Sequence, residues 1–239
     1  MENIVLNRKS ERGFTLVELA IVMIIIGLLI GAILKGQELI ANARVASTVA
    51  QVKGIDAATT TFRDKYDAFP GDMADAATRL PARCPAAACG DGGGDGNLEA
   101  APFAAPAGDS LLFFPHLAAA DLITGIAQDG SPGWGNIYQE AKISGGFHPG
   151  YTVGGGVVGA NGNAPAGHYL SLVSAPAVIG ANNAVTPNEA QRLDTKLDDG
   201  LGQTGVVFGG NAACTAGVNG SYAEDIQGKI CDVALRFQN

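Results

Sequence analysis

Charged residues and proline are almost absent from a long stretch near the N-terminus. Between residues 14 and 34 the only charged side chain is Glu18, and the first proline is Pro70. Proline breaks helices, so its absence permits one continuous helix over 14–66. At about 1.5 Å per residue, the apolar run of 14–34 reaches roughly 30 Å, enough to cross the hydrocarbon core of a bilayer. The sequence therefore predicts a membrane span with a carboxylate near one end.

The sequence also lacks the motifs that mark common catalytic sites. It has no G-x-S-x-G nucleophile elbow, no H-E-x-x-H zinc motif and no Walker loop, and its three histidines are widely spaced. Residues 154–159 satisfy the dinucleotide fingerprint G-x-G-x-x-G, but 161–165 (Asn-Gly-Asn-Ala-Pro) stand where a helix would have to begin. We therefore expect no enzymatic activity and no required cofactor.

Aromatic residues and positive charge are both scarce. Aromatics make up 6% of the chain against 34 glycines, which indicates a loop-rich region built from small residues. The formal net charge is −8; residues 1–13 carry three cations and two acids, so 14–239 carry −9. This acidity argues against a generic nucleic-acid-binding surface.

Glu18 requires an explanation, because a carboxylate at the centre of a membrane span costs about 2.5–3.5 kcal/mol, and less towards the interface. A cut between Gly13 and Phe14 would free an α-amine four residues before Glu18, on the same helical face. The amine of a neighbouring subunit would neutralise the carboxylate and fix the axial register between the two helices.

These residues carry a resemblance to a known family. The sequence GFTLVELAIVMIIIGLLIGAIL, after a short basic leader, resembles the start of a type IV prepilin or a type II secretion pseudopilin. The resemblance implies that prepilin peptidase cuts between Gly13 and Phe14, that Phe14 is N-methylated, and that Glu18 is an assembly contact. It implies a structural subunit that polymerises through its N-terminal helix.

The resemblance also implies partners and a location. The partners are copies of the chain and other pilins in a helical filament, prepilin peptidase, the inner-membrane assembly platform, and lipid before assembly. Arg8, Lys9 and Arg12 place the leader in the cytoplasm, so the head faces the periplasm until assembly into a pilus or a periplasmic pseudopilus. The alternatives are a pseudopilin of a type II secretion system, or a membrane-anchored periplasmic binding or enzymatic domain.

Four segments are predicted: a leader over 1–13, an assembly half of the first helix over 14–34, an amphipathic half over 35–69, and a head over 70–239. Apolar residues at spacings of three and four place one helical stripe on the second half. The stripe comprises Val45, Val49, Val52, Ile55, Thr59, Phe62, Tyr66 and Phe69. The predicted fold is α+β and type IV pilin-like, with an antiparallel sheet and short extra helices in the head.

Within the head, local signals indicate helices and strands. Helices are predicted over 110–124 and from Thr186, where Pro187 and Glu189 complete an N-terminal capping signature. Residues 71–109 are predicted to be an extended loop. Strands are predicted near 150–158, 169–173, 206–208 and 233–237.

The four cysteines form two pairs that are close in sequence. Cys84 and Cys89 are near enough for a small disulfide loop, although the same spacing suits metal ligation. Export to an oxidising compartment favours disulfides. Cys214 and Cys231 bracket a segment that resembles the disulfide-closed C-terminal loop of many type IV pilins.

An acidic, glycine-rich segment is a candidate calcium site. Asp91, Asp95, Asn97 and Glu99 offer alternating oxygen ligands with glycines between them. The segment departs from the EF-hand pattern, because its third position is Gly93 and its twelfth is Pro102. A solvated turn is the alternative.

Overall fold

The computed structural model describes residues 13–80, 84, 89–154, 164–176, 183–216 and 220–237. The predicted leader other than Gly13, most of the glycine-rich fingerprint at 154–159 and the end of the strand predicted near 150–158 lie outside these ranges. The chain divides into two compact units, Met1–Asn42 and Ala43–Asn239.

The first helix, α1, runs over Leu16–Tyr66, as the lack of proline predicts. In the first unit its apolar side chains are exposed, and its length and composition would allow it to cross a membrane. In the second unit its buried residues recur every three or four positions, and they include every α1 member of the predicted stripe. These residues are Val45, Thr48, Val49, Val52, Ile55, Ala58, Thr59, Phe62 and Tyr66.

Three short helices follow: α2 (Ala76–Arg79), α3 (Asp109–Ala119) and α4 (Pro187–Leu197). α2 interrupts the predicted extended loop with a single turn. α4 begins as predicted, with Thr186 and Glu189 forming a reciprocal capping box and Pro187 in the first turn. α3 continues through Pro115 but ends five residues before the predicted boundary.

The early end of α3 has a local cause. Asp121 adopts a left-handed φ of 57°, its N–H donates to Ala118 O, and the N–H of Leu122 donates to Leu117 O. This is the Schellman pattern, which closes a helix by satisfying its last carbonyl groups. The prediction of a helix to residue 124 was therefore wrong at its C-terminal boundary.

The head contains an antiparallel four-stranded sheet of β1 (Gly146–Thr152), β2 (Gly167–Val173), β3 (Val207–Gly209) and β4 (Val233–Phe237), in the order β1-β2-β4-β3. β1 starts four residues earlier than predicted and includes Pro149, paired with Leu170. An edge strand tolerates proline, because one side of its backbone has no strand partner. The strand predicted near 150–158 is confirmed over 150–152 but was wrong at its start, and 155–158 lie outside the described residues.

Alternate residues of the sheet face different clusters. Leu170, Leu172 and Leu235 join the main core, which also contains the buried stripe of α1 and Phe113 of α3. Tyr169 and Ala234 join a smaller cluster with Phe208. The period of two is that of a β-strand buried on both faces. The predicted α+β layout, with a long N-terminal helix, an antiparallel sheet and short helices as in type IV pilins, is confirmed.

Candidate functional site

Gly13 and Phe14 lie at the exposed start of the described chain. A Cβ added to Gly13 would meet no atom within 4 Å, and the Phe14 side chain is 87% exposed. The described residues therefore provide no packing that would protect the bond that the resemblance marks for cleavage.

Glu18 forms a capping box at the start of α1. Its Oε2 accepts hydrogen bonds from Thr15 N–H at 2.9 Å and from Thr15 Oγ1 at 2.8 Å, while Glu18 N–H donates to Thr15 Oγ1 at 3.2 Å. Reciprocal bonds of this kind satisfy backbone donors that the first turn of a helix would otherwise leave free. The T-x-x-E signature is visible in the sequence, but the sequence interpretation considered only the charge.

The capping box uses one of the two carboxylate oxygens. Both hydrogen bonds from Thr15 end on Oε2, and Oε1 accepts none from the residues that the structure describes. An ionised carboxylate has about four acceptor positions on its two oxygens, so Glu18 can cap its own helix and still accept a bond from a second cation. The cap also holds the carboxylate close to the end where cleavage would create an amine.

The helical residues after Glu18 present an exposed apolar surface. Large side chains at 19–34 are 45–71% exposed, with Ile26 the least and Leu28 the most exposed. Lys35 and Glu38 then form an exposed ion pair at 2.7 Å, and the exposed apolar residues Leu39 and Ile40 follow it. An apolar surface of this length requires lipid or protein as a cover.

The predicted calcium ligands do not form one group. Asp95 lies with Asp72 and Asp109, and one carboxylate oxygen from each falls within 4.8 Å of the others. Asp91 instead accepts a hydrogen bond from Ala77 N–H, and the carboxylate of Glu99 packs against Gly108. Asn97 contributes its backbone N–H to Asp95 Oδ1 at 2.9 Å.

Asp72 and Asp109 organise this segment through backbone donors. Asp72 accepts from the N–H groups of Asp95 and Gly96 at 2.9 and 2.7 Å, and Asp109 accepts from Gly93 N–H at 3.1 Å. Both side chains are buried, and burial raises the pKa of Asp109 to about 6, with the Gly93 bond opposing the rise. The sequence interpretation missed both residues, because they lie outside the glycine-rich segment that they hold.

The acidic group could hold a metal ion, since three carboxylates near one another are ligands that hard cations prefer. The same carboxylates already satisfy backbone N–H groups, which explains the loop without an ion. Calcium binding by Asp91, Asp95, Asn97 and Glu99 stays a prediction.

The C-terminal part of the head is held by a disulfide and by buried hydrogen bonds. Cys214 is bonded to Cys231, which confirms the predicted pair, and Cys84 is bonded to Cys89. Tyr222, between Cys214 and Cys231, donates its hydroxyl to Asp194 of α4 at 2.9 Å. Burial raises the pKa of Asp194 to about 6, and the Tyr222 bond opposes that rise.

The Cys214–Cys231 disulfide is expected to stabilise the head more than the shorter one. Replacing both cysteines by alanine should lower the free energy of unfolding by about 3 kcal/mol, because an open segment between residues 214 and 231 gains more entropy in the unfolded chain. Thermal unfolding of the processed protein in detergent, followed by circular dichroism, measures the effect.

The matched control is the double variant Cys84→Ala, Cys89→Ala, which opens a loop with a sequence separation of 5 instead of 17. This control should lose less free energy of unfolding than the variant that lacks Cys214 and Cys231. A larger loss in this control than in the Cys214, Cys231 variant would contradict the argument.

Comparison with known protein families gives a match at the N-terminus. Residues 8–34 match the family described as the prokaryotic N-terminal methylation motif, which includes Gly13, Phe14 and Glu18. No match was found among curated proteins or among solved structures. Residues 8–34 are thus a prepilin-type cleavage and methylation segment, which supports a precursor of the type IV pilin or pseudopilin kind.

Proposed function

We propose that the protein is a structural subunit of a type IV pilus or a related filament. In this proposal prepilin peptidase cuts between Gly13 and Phe14 and methylates the new N-terminus. The processed subunit stays in the inner membrane with its head in the periplasm. It then enters a filament through α1, whose exposed apolar residues pass from lipid to the α1 helices of neighbouring subunits.

The observation that carries this proposal is the placement of Glu18 within the methylation motif. Oε1 of the carboxylate accepts no hydrogen bond from the described residues, and cleavage would create a cation at the same helix end. In an apolar fibre core, an unpaired ammonium or an unpaired carboxylate would each be costly, and pairing would offset much of that cost. Packing of neighbouring helices would therefore favour the register in which the amine of one subunit meets Glu18 of the next.

A pseudopilin of a type II secretion system would use the same N-terminal chemistry. The proposal favours a pilus because the disulfide between Cys214 and Cys231 closes a C-terminal segment like that of many type IV pilins. Residues 224–229 within this segment are exposed, as a fibre surface would require. Neighbouring genes for an assembly ATPase, a secretin and a prepilin peptidase would support either filament.

The proposal is tested on the native cell. Filaments sheared from the surface should contain this chain, and mass spectrometry should find its N-terminus at Phe14 with one added methyl group. A mature N-terminus beyond Leu34 would mean cleavage as an ordinary signal peptide and would overturn the proposal. Processed protein found in periplasmic fibres alone would favour the pseudopilin.

A further inference from the structure

The head contains an open cleft of about 1130 Å³ that the proposed assembly role does not use. Its walls come from the end of α1, the turn that follows, the glycine-rich residues near 94–97, and the ends of β1, β2 and β4. All of these belong to the second compact unit. The volume lies slightly above the range of about 300–1,000 Å³ that is usual for clefts that bind small ligands.

Charged groups of both signs line the cleft. The positive side chains are Arg63, Arg79 and Arg236, and the negative ones are Asp64, Asp67, Asp72 and Asp75. A ligand with a large net charge of either sign would meet repulsion from one of these sets. A ligand that both donates and accepts hydrogen bonds would find a partner in each set.

Two of the guanidinium groups are held in place by backbone carbonyl groups. Arg79 donates to Tyr66 O at 2.7 Å, and Arg236 donates to Ala166 O at 2.8 Å. Glycine at position 167 leaves room for the Arg236 side chain in this position, because a Cβ there would lie 2.9 Å from Arg236 Nε. Donors fixed before a ligand arrives lose less entropy when it binds.

An aromatic stack forms part of the same wall. The rings of Phe69 and His168 lie with centroids 4.0 Å apart, and Tyr151 lies 5.0 Å from His168. Phe69 is buried, whereas Tyr151 and His168 are half-buried at the cleft. Burial lowers the pKa of His168 to about 4, and the positive charge of Arg63 adds to this effect. Around neutral pH the stack is therefore uncharged and offers an apolar surface between polar groups.

We propose that this cleft binds a neutral carbohydrate. Each sugar hydroxyl is both a donor and an acceptor. Asp72 already accepts two backbone N–H groups and Asp75 pairs with Arg79. We therefore expect the ligand to bond to Asp64, Asp67 and the arginines. The C–H face of a sugar ring can pack against Tyr151 and His168. The cleft would give the head a ligand-binding activity in addition to the proposed structural role.

The first test is to probe a glycan array of neutral and sialylated oligosaccharides with the processed protein in detergent. Calorimetry then measures the affinity for the neutral oligosaccharide that binds best. Asp64→Ala and Tyr151→Leu should each weaken binding by about tenfold, since the first removes an acceptor and the second a planar ring. Asp64 is exposed, and alanine favours the helix, so the first variant should fold normally.

Lys53→Ala, at another exposed charged position of α1 outside the cleft, is the matched control and should bind as the wild type does. Filament yield should be unchanged in all three variants, which separates this proposal from the assembly role. Lack of binding to every neutral oligosaccharide would overturn the proposal. So would a preference for sialylated glycans or charged peptides, or equal affinity in the wild type and both cleft variants.

Discussion

Gly13→Val is expected to leave the precursor uncut in the inner membrane. The peptidase must accommodate the residue before the scissile bond, and a β-branched side chain there adds bulk and restricts the local backbone. Among the residues that the structure describes, a Cβ at Gly13 meets no atom within 4 Å, so the substitution creates no clash with them. A loss of cleavage would therefore reflect the encounter with the peptidase and not a folding defect.

The measurement is the fraction of precursor and processed protein in membranes, with the N-terminal peptide identified by mass spectrometry. Gly13→Ala is the matched control, because its small side chain should permit partial cleavage. Cleavage of Gly13→Val at the wild-type rate would show that the size of this residue does not matter. In the uncut protein Phe14 should carry no methyl group, since its nitrogen remains in a peptide bond.

The first helix could be predicted from the sequence because its signals are local and repeated. The missing prolines allowed a helix over 14–66, and the structure places α1 at Leu16–Tyr66. The apolar stripe from Val45 to Tyr66 predicted which face is buried, since a period of three and four residues defines one face of a helix. The start of α4 was predicted for a similar reason, from the two residues of its capping box, Thr186 and Glu189, and from Pro187 in its first turn.

The organisation of the acidic loop could not be predicted in the same way. Asp72 and Asp109 bind backbone groups that are 16 to 24 residues away, and nothing in their own neighbourhoods indicates those partners. The start of β1 was predicted too late for a related reason. Pro149 argues locally against a strand, and only the edge position in the sheet makes it acceptable.

The second large effect is expected at Glu18. Glu18→Ala should give normal amounts of processed protein in the inner membrane and few or no sheared filaments. Membrane insertion should survive, because loss of an intramembrane charge lowers its cost. Cleavage should survive as well, since the resemblance places peptidase dependence mainly on Gly13. Assembly should fail, because an unpaired Phe14 amine would have to enter an apolar fibre core.

The capping box complicates this variant, since alanine removes both the charge and the cap. Two further variants separate the two roles. Glu18→Gln keeps an acceptor for Thr15, as glutamine also closes a capping box, but it removes the charge. Thr15→Ala removes the cap, at a cost of about 1 kcal/mol to the helix start, and keeps the charge.

If charge pairing with a neighbour drives assembly, Glu18→Gln should be as defective as Glu18→Ala, and Thr15→Ala should form filaments close to the wild-type amount. Glu18→Asp, one methylene shorter, should retain part of the yield if the reach of the carboxylate is limiting. The comparison is processed subunit in membranes against subunit in the sheared fraction. The opposite result, with abundant filaments from Glu18→Gln and few from Thr15→Ala, would show that Glu18 acts by capping its own helix and not by pairing with a neighbour. Wild-type amounts of filament from Glu18→Ala would show that the carboxylate is not an assembly contact, because the fibre core would then accept the Phe14 amine without it.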